Sequence, residues 1–220
     1  MDWKKKIFDA EDFKKGIETL DNEMGKNEWL NAFAPITLLS AGGFLAVTYF
    51  GNRKSTGDLD YFLEPQWAHD KDINGPLRGA MLSTARCLGF ADDWANEEMA
   101  FFISDNSRQL LFEEAEKQNI VLWEGPNLRI LAVPLEWALE QKLRRIHNGM
   151  QSSKRGSDMK DVLALLRHLT AQNKGPLLRE YIQTLNMCST EMLPDHATMN
   201  EIAAAYQTEY NEEAFFLNDR

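Results

Sequence analysis

Residues 36–64 read ITLLSAGGFLAVTYFGNRKSTGDLDYFLE, and this stretch decides the fold. Its first residues, Ile36 to Leu39, form an apolar run of the length expected for a buried strand. Gly42-Gly43 follows and leads into an apolar, helix-length segment, Phe44 to Phe50. After Gly51-Asn52-Arg53 and a polar run (residues 54–57, Lys-Ser-Thr-Gly) comes a second strand-like run, Leu59 to Leu63. Asp58 and Asp60 flank Leu59. Side chains alternate faces along a strand, so both carboxylates should project from the face opposite Leu59. Like charges held that close repel unless a cation or a proton sits between them. The expected ion is Mg²⁺ or Mn²⁺, a hard cation that takes one or two carboxylates together with substrate phosphates.

Composition bounds the rest. A chain of 220 residues with 44% hydrophobic and 26% charged residues can build a substantial core. A formal charge of −10 argues against nucleic acid as a partner, because that binding is dominated by phosphate neutralisation. It leaves room for a small anion held in a local basic pocket. Cys87 and Cys188 lie far apart and give no metal spacing, and His69, His147, His168 and His196 are equally scattered. No apolar run is long enough to span a bilayer, and the N-terminus lacks a signal-peptide core. The cytoplasm is the expected compartment and no membrane partner is expected.

Outward from the opening stretch, Phe8, Phe13, Ile17 and Leu20 recur at helical spacing, with Asp9 or Asp12 near the start and Pro35 as the stop. Beyond Pro65 a polar loop through Gly75-Pro76 should precede a helix from about Leu77 to Leu88, ended by Gly89. Residues 90–94 read as a turn or a short edge strand, and Met99 to Ile103 as a buried strand. Asp105 or Asn106 should cap a helix running to about Gln118. Ile120–Trp123 and Leu128–Val133 flank Glu124-Gly125-Pro126-Asn127 as a hairpin. From Pro134 the sequence turns almost wholly helical, with a polar loop from Gly149 to Ser157 and final helices at about residues 176–185 and 198–216. The expected organisation is an α+β core over residues 1–134 and a helical region, 135–220, packed on it.

A Gly-Gly turn entering a helix offers backbone N–H groups to a phosphate, and Arg53, Ser55 and Thr56 add a cation and hydroxyl donors just before the aspartates. In these residues the chain resembles the nucleotidyltransferase, or polymerase-β-like, fold. The resemblance is carried by Ala41-Gly42-Gly43 and Asp58-Leu59-Asp60, in the wording found among abortive-infection-type toxins and related uncharacterised bacterial and fungal proteins. Those relatives carry a second signature, matched here by Lys142-Leu143 and by Arg155 followed by Asp158-Met159-Lys160-Asp161.

The resemblance implies a mixed sheet with flanking helices, and it implies roles. Gly42 and Gly43 would lie against a triphosphate, and Asp58 and Asp60 would be the catalytic metal ligands. Arg53, Ser55, Thr56 and Lys142 would bind phosphate, with Asp158 and Asp161 as possible additional acids. The residues around Lys142 are basic (Arg144, Arg145, Lys154, Arg155, Lys160), which suits either an anion pocket or a solvated helix face. The implied activity is Mg-dependent transfer of a nucleoside monophosphate from a nucleoside triphosphate to a small-molecule or protein acceptor. The alternative is a catalytically inactive module of this fold, kept as a nucleotide-binding or protein-interaction scaffold. That alternative is motivated by a third carboxylate, which active members present from a later strand. The run Met99–Ile103 contains none, leaving Glu97, Glu98 and Glu124 as substitutes. Trp67, Trp94, Trp123 and Trp137 are read as core residues before base-stacking ones.

Overall fold

Asp9 opens the first helix, α1 (Ala10–Met24), in a computed structural model that describes residues 4–149, 153–187 and 192–217. The Asp12 N–H donates to Asp9 Oδ1 at 2.9 Å and the Asp9 N–H to Asp12 Oδ2 at 3.0 Å, so each carboxylate satisfies a backbone donor that a helix start leaves unpaired. Phe13, Ile17, Leu20 and Met24 line the buried face of α1, as their spacing requires. A short helix α2 (Glu28–Ala32), capped by the Asn27 side chain, leads to the sheet.

The chain divides into two compact units, Met1–Pro134 and Leu135–Arg220. The first is built on a five-stranded mixed sheet of β1 (Ile36–Ser40), β2 (Leu59–Leu63), β3 (Ala95–Asn96), β4 (Val121–Glu124) and β5 (Leu128–Ala132), in the order β3-β2-β1-β5-β4. β1 is buried along its whole length, which explains its largely apolar sequence. It runs antiparallel to β2 and parallel to β5, while the expected hairpin joins β4 to β5. The helix between β1 and β2 is α3 (Gly42–Thr48), so it begins at the glycine pair itself. Helices α4 (Lys71–Leu88) and α5 (Asp105–Gln118) complete the unit. Trp94, Phe8, Phe13 and Phe44 are among its fully buried side chains, and Trp94 donates its indole N–H to the Met81 carbonyl at 3.1 Å. Trp94 therefore serves the core, Trp67 and Trp123 pack part-buried against it, and Trp137 of the second unit is buried.

Several boundaries of the first unit differ from the sequence expectation, for local reasons. Helix α4 starts at Lys71, six residues before Leu77, because Asp70 caps it and the Asn74 amide donates to the carbonyls of Trp67, Ala68 and Asp70. Pro76 then sits inside the helix, where it forfeits one backbone hydrogen bond. Residues 99–103 are not a strand: Glu98–Phe102 form a 3₁₀ turn, launched when the Glu98 N–H is captured by Asn96 Oδ1 at 3.0 Å. The strand in this part of the chain is the two-residue β3, parallel to β2. Ser104, rather than Asp105 or Asn106, caps α5.

The second unit is mainly helical, with α6 (Leu135–Asn148), α7 (Arg155–Asn173), α8 (Arg179–Gln183) and α9 (His196–Tyr210). Two short strands, β6 (Leu177–Leu178) and β7 (Phe215–Phe216), pair in parallel, so the final helix ends at Tyr210 rather than Phe216. Helix α7 begins inside the expected 149–157 loop, which places Asp158 on its first turn. Buried Arg144 and Glu140 lie one turn apart, 3.1 Å from each other. Arg144 donates to the Leu185 carbonyl at 2.7 Å and Glu140 accepts the Met187 N–H at 2.7 Å, fastening the segment after α8 to α6. Cys87 is exposed, and Cys188 lies outside the described residues.

The hairpin of β4 and β5 is tied to α1 by two buried hydrogen bonds from Asn127 to Asp21. The Asn127 N–H donates to Asp21 Oδ1 at 2.9 Å and its amide to the Asp21 carbonyl at 3.0 Å. Asp21→Ala orphans the buried Asn127 N–H and should cost about 1–3 kcal/mol. Urea unfolding would measure this, and an unchanged midpoint would show the pair to be dispensable.

Candidate functional site

β2 begins at Leu59, which is buried, while Asp58 just before it and Asp60 within it are half-buried, and strand alternation puts both on the face opposite Leu59. The end of β1 fixes their height. Buried Ser40 donates its hydroxyl to the Asp60 carbonyl at 2.7 Å, next to the register pair Ser40–Tyr61. The chain then turns through Gly42, whose φ of +68° is a conformation that only glycine adopts freely. A β-carbon there would stand 2.7 Å from Asp60 Oδ2, so the absent side chain is what lets the carboxylate lie against the turn. A β-carbon on Gly43 would overlap the Thr56 hydroxyl. Ala41, preceding α3, supplies no side-chain cap to its first turn.

Thr56 is held from the other side. Its N–H donates to the Phe8 carbonyl at 2.9 Å and its carbonyl accepts the Phe8 N–H at 2.8 Å, while the Arg53 N–H reaches the Ala46 carbonyl at 3.4 Å. Phe8 is fully buried and its ring meets Phe13 and Phe90 at centroid distances of 5.7 and 4.7 Å. The segment before α1 therefore anchors the loop that carries Arg53, Ser55 and Thr56; Arg53 is half-buried and Ser55 exposed. One corner of the first unit gathers Gly42, Gly43, Thr56 and Asp60, and Asp58 shares the Asp60 face.

Sequence reasoning missed one residue of this corner. Asn96 on β3 is the register partner of Asp60 and is 8% exposed. Its amide nitrogen donates to Asp58 Oδ2 at 3.1 Å and lies 3.4 Å from the Asp93 carbonyl, while its oxygen accepts the Glu98 N–H. No local signal marks it, since an asparagine after Trp94-Ala95 reads as a turn residue.

The acids considered as a third carboxylate are engaged elsewhere or lie on another strand. Glu97 accepts the Leu63 N–H at 3.1 Å and stands 3.9 Å from Arg108, which donates to the Leu63 carbonyl at 3.0 Å and lies over the Phe62 ring. Glu124 is on β4, with β1 and β5 between that strand and β2. Glu98 begins the 3₁₀ turn. Among the described residues no cluster of three or more His, Cys, Asp or Glu side chains could hold a metal ion. A two-carboxylate site remains chemically suited to one hard divalent cation whose other positions are filled by water and phosphate oxygens.

Lys142, Asp158 and Asp161 are brought together with one another in the second unit. Lys142 Nζ donates to Asp158 Oδ1 at 3.1 Å and to Asp161 Oδ2 at 2.5 Å, and all three residues are buried. Arg145 adds a two-pronged contact to Asp158, through Nε at 2.6 Å and through Nη2. Burial alone would raise the Asp158 carboxyl, but Arg145 and Lys142 outweigh it and hold the group below the usual carboxylate range. Nearby, Arg155 pairs with Glu201 and Arg167 with Glu212, so much of this basic region is charge-matched.

Compared with family models, curated proteins and solved structures, the chain matches none. The resemblance rests on its own residues. Among the described residues, no helix is long and apolar enough to cross a membrane.

Two outcomes follow from these placements. Lys142→Ala leaves two buried carboxylates short of their shared cation, and removing one partner of such a group costs about 3–5 kcal/mol. A loss of that size in chemical unfolding marks a structural role for Lys142, whereas an unchanged midpoint would leave only a ligand-binding one. Burial pushes the Glu97 carboxyl above its ordinary range, against the pull of the Leu63 N–H and Arg108. A raised carboxyl favours the folded state when protonated, and that contribution is lost as pH climbs from the ordinary glutamate value through the raised one. Glu97→Gln should remove this slope, so the stability difference between wild type and variant should change across that window. A pH-independent difference would contradict the assignment.

Proposed function

We propose that the first unit is a nucleotidyltransferase-type site in which Asp58 and Asp60 hold a divalent cation, Mg²⁺ or Mn²⁺, against a nucleoside triphosphate. The observation that carries this reading is the contact between Asp60 and a glycine turn with no room for a β-carbon, with a second carboxylate on the same strand face. A carboxylate lying against a glycine turn suits a ligand that is itself a cation–phosphate complex. Gly42 and Gly43 would lie along the phosphates, and Arg53, Ser55 and Thr56 would supply a cation and hydroxyl donors. A bound Mg²⁺ would neutralise the phosphates and favour in-line displacement of pyrophosphate by the acceptor. The acceptor class that suits a chain of charge −10 is a small molecule or a protein.

A second reading, nucleotide binding without turnover, is favoured by Asn96. It lies on β3 in register with Asp60 and offers the aspartates an amide and not a further carboxylate. Both readings share the cation and the nucleotide, and they part only at pyrophosphate release. Asp58→Ala/Asp60→Ala should abolish Mg²⁺-dependent nucleoside-triphosphate binding in calorimetry, and with it any pyrophosphate release. Retained binding in the double variant would sink both readings, while binding without release in the wild type would select the second.

A further inference from the structure

We infer that Asn96 is a positioning residue that sets how many negative charges the aspartate corner presents, and so how tightly it holds one divalent cation. This rests on Asp58 and Asp60 being cation ligands. The amide cannot simply turn over to offer its oxygen: Asn96 Oδ1 is committed to the Glu98 N–H at 3.0 Å, and the nitrogen faces Asp58 Oδ2 at 3.1 Å and the Asp93 carbonyl at 3.4 Å. Reversal would set oxygen against two acceptors and strand a backbone donor. At 8% exposure the side chain is also fixed by its surroundings. Register with Asp60 aligns the two residues across parallel strands, beside the face that carries both carboxylates.

Two consequences follow for the chemistry. One oxygen of Asp58 is occupied by a neutral donor, which orients the carboxylate and leaves the other oxygen for a cation. The corner also carries two formal negative charges rather than three, enough for a single ion whose remaining ligands are water and phosphate. An outer partner of this kind is worth about 10–100-fold in metal affinity when removed.

Substitutions of opposite chemistry at this one position therefore give opposite results. Titration of the full-length protein with Mn²⁺, reading unbound ion by electron paramagnetic resonance, should show Asn96→Ala binding about 10–100-fold more weakly than wild type. Asn96→Asp, of the same shape, should bind more tightly or take up a second equivalent, and Mn²⁺ should raise its melting temperature more than that of the wild type. A purely structural asparagine would weaken binding in both variants, and that result, or no change in either, overturns the proposal. Should Asn96→Asp fail to fold, the exchange Asp58→Asn/Asn96→Asp keeps one amide facing one carboxylate. It should retain the Mn²⁺ site, and loss as complete as in Asp58→Ala shows that position 96 does not serve the ion. Wild type and Asp58→Ala binding Mn²⁺ alike would instead defeat the aspartate reading itself, a result separable from failure at Asn96 alone.

Discussion

Two missing β-carbons set the geometry of the first unit. Gly42 and Gly43 have space for nothing beyond hydrogen on their α-carbons, since the Asp60 carboxylate fills one place and the Thr56 hydroxyl the other. The close approach joins the end of β1, the start of α3, the strand β2 and the loop between them in one contact. Ser40 reinforces it through the Asp60 carbonyl, and Phe8 holds Thr56 from outside. An alanine at Gly43 would run into Thr56, and one at Gly42 would displace the Asp60 carboxylate and strain the positive-φ backbone. The same constraint places carboxylate oxygens beside backbone, the juxtaposition on which any phosphate chemistry here would draw.

Residues 36–64 were legible because their signals are local. A largely apolar run, a glycine pair and a polar–apolar alternation each report on a few neighbouring residues, and β2 falls at Leu59–Leu63 as read. The apolar periodicity of α1 and the turn residues between β4 and β5 worked for the same reason. The run Met99–Ile103 shows the limit: composition alone does not separate a strand from a 3₁₀ turn, and the deciding contact is one side-chain carbonyl on Asn96. Likewise Pro76 looked like a helix boundary because the Asn74 amide, which secures the turns before it, works through three carbonyls that no pattern reveals.

The candidate site divides along the same line. Asp58, Asp60, Gly42, Gly43 and Thr56 lie within 18 residues of one another in sequence and could be read together. Asn96 could not, because its place beside Asp60 depends on strand pairing across 36 residues. Lys142 was picked out as a phosphate ligand and Asp158 and Asp161 as possible additional acids, but charge pattern does not reveal that the lysine lies between the two carboxylates. The buried geometry of that triad supplies what the pattern lacked.

Leu63 is the last residue of β2, and the two-residue β3 does not reach it. There the backbone is finished by side chains, Glu97 accepting its N–H and Arg108 covering its carbonyl. Elsewhere an unfinished edge of this kind is a template on which a stray extended segment can add itself. Here both hydrogen-bonding groups are stoppered by a charged pair that no incoming strand can copy. Strand addition is closed off at that point by two side chains and not by a neighbouring strand.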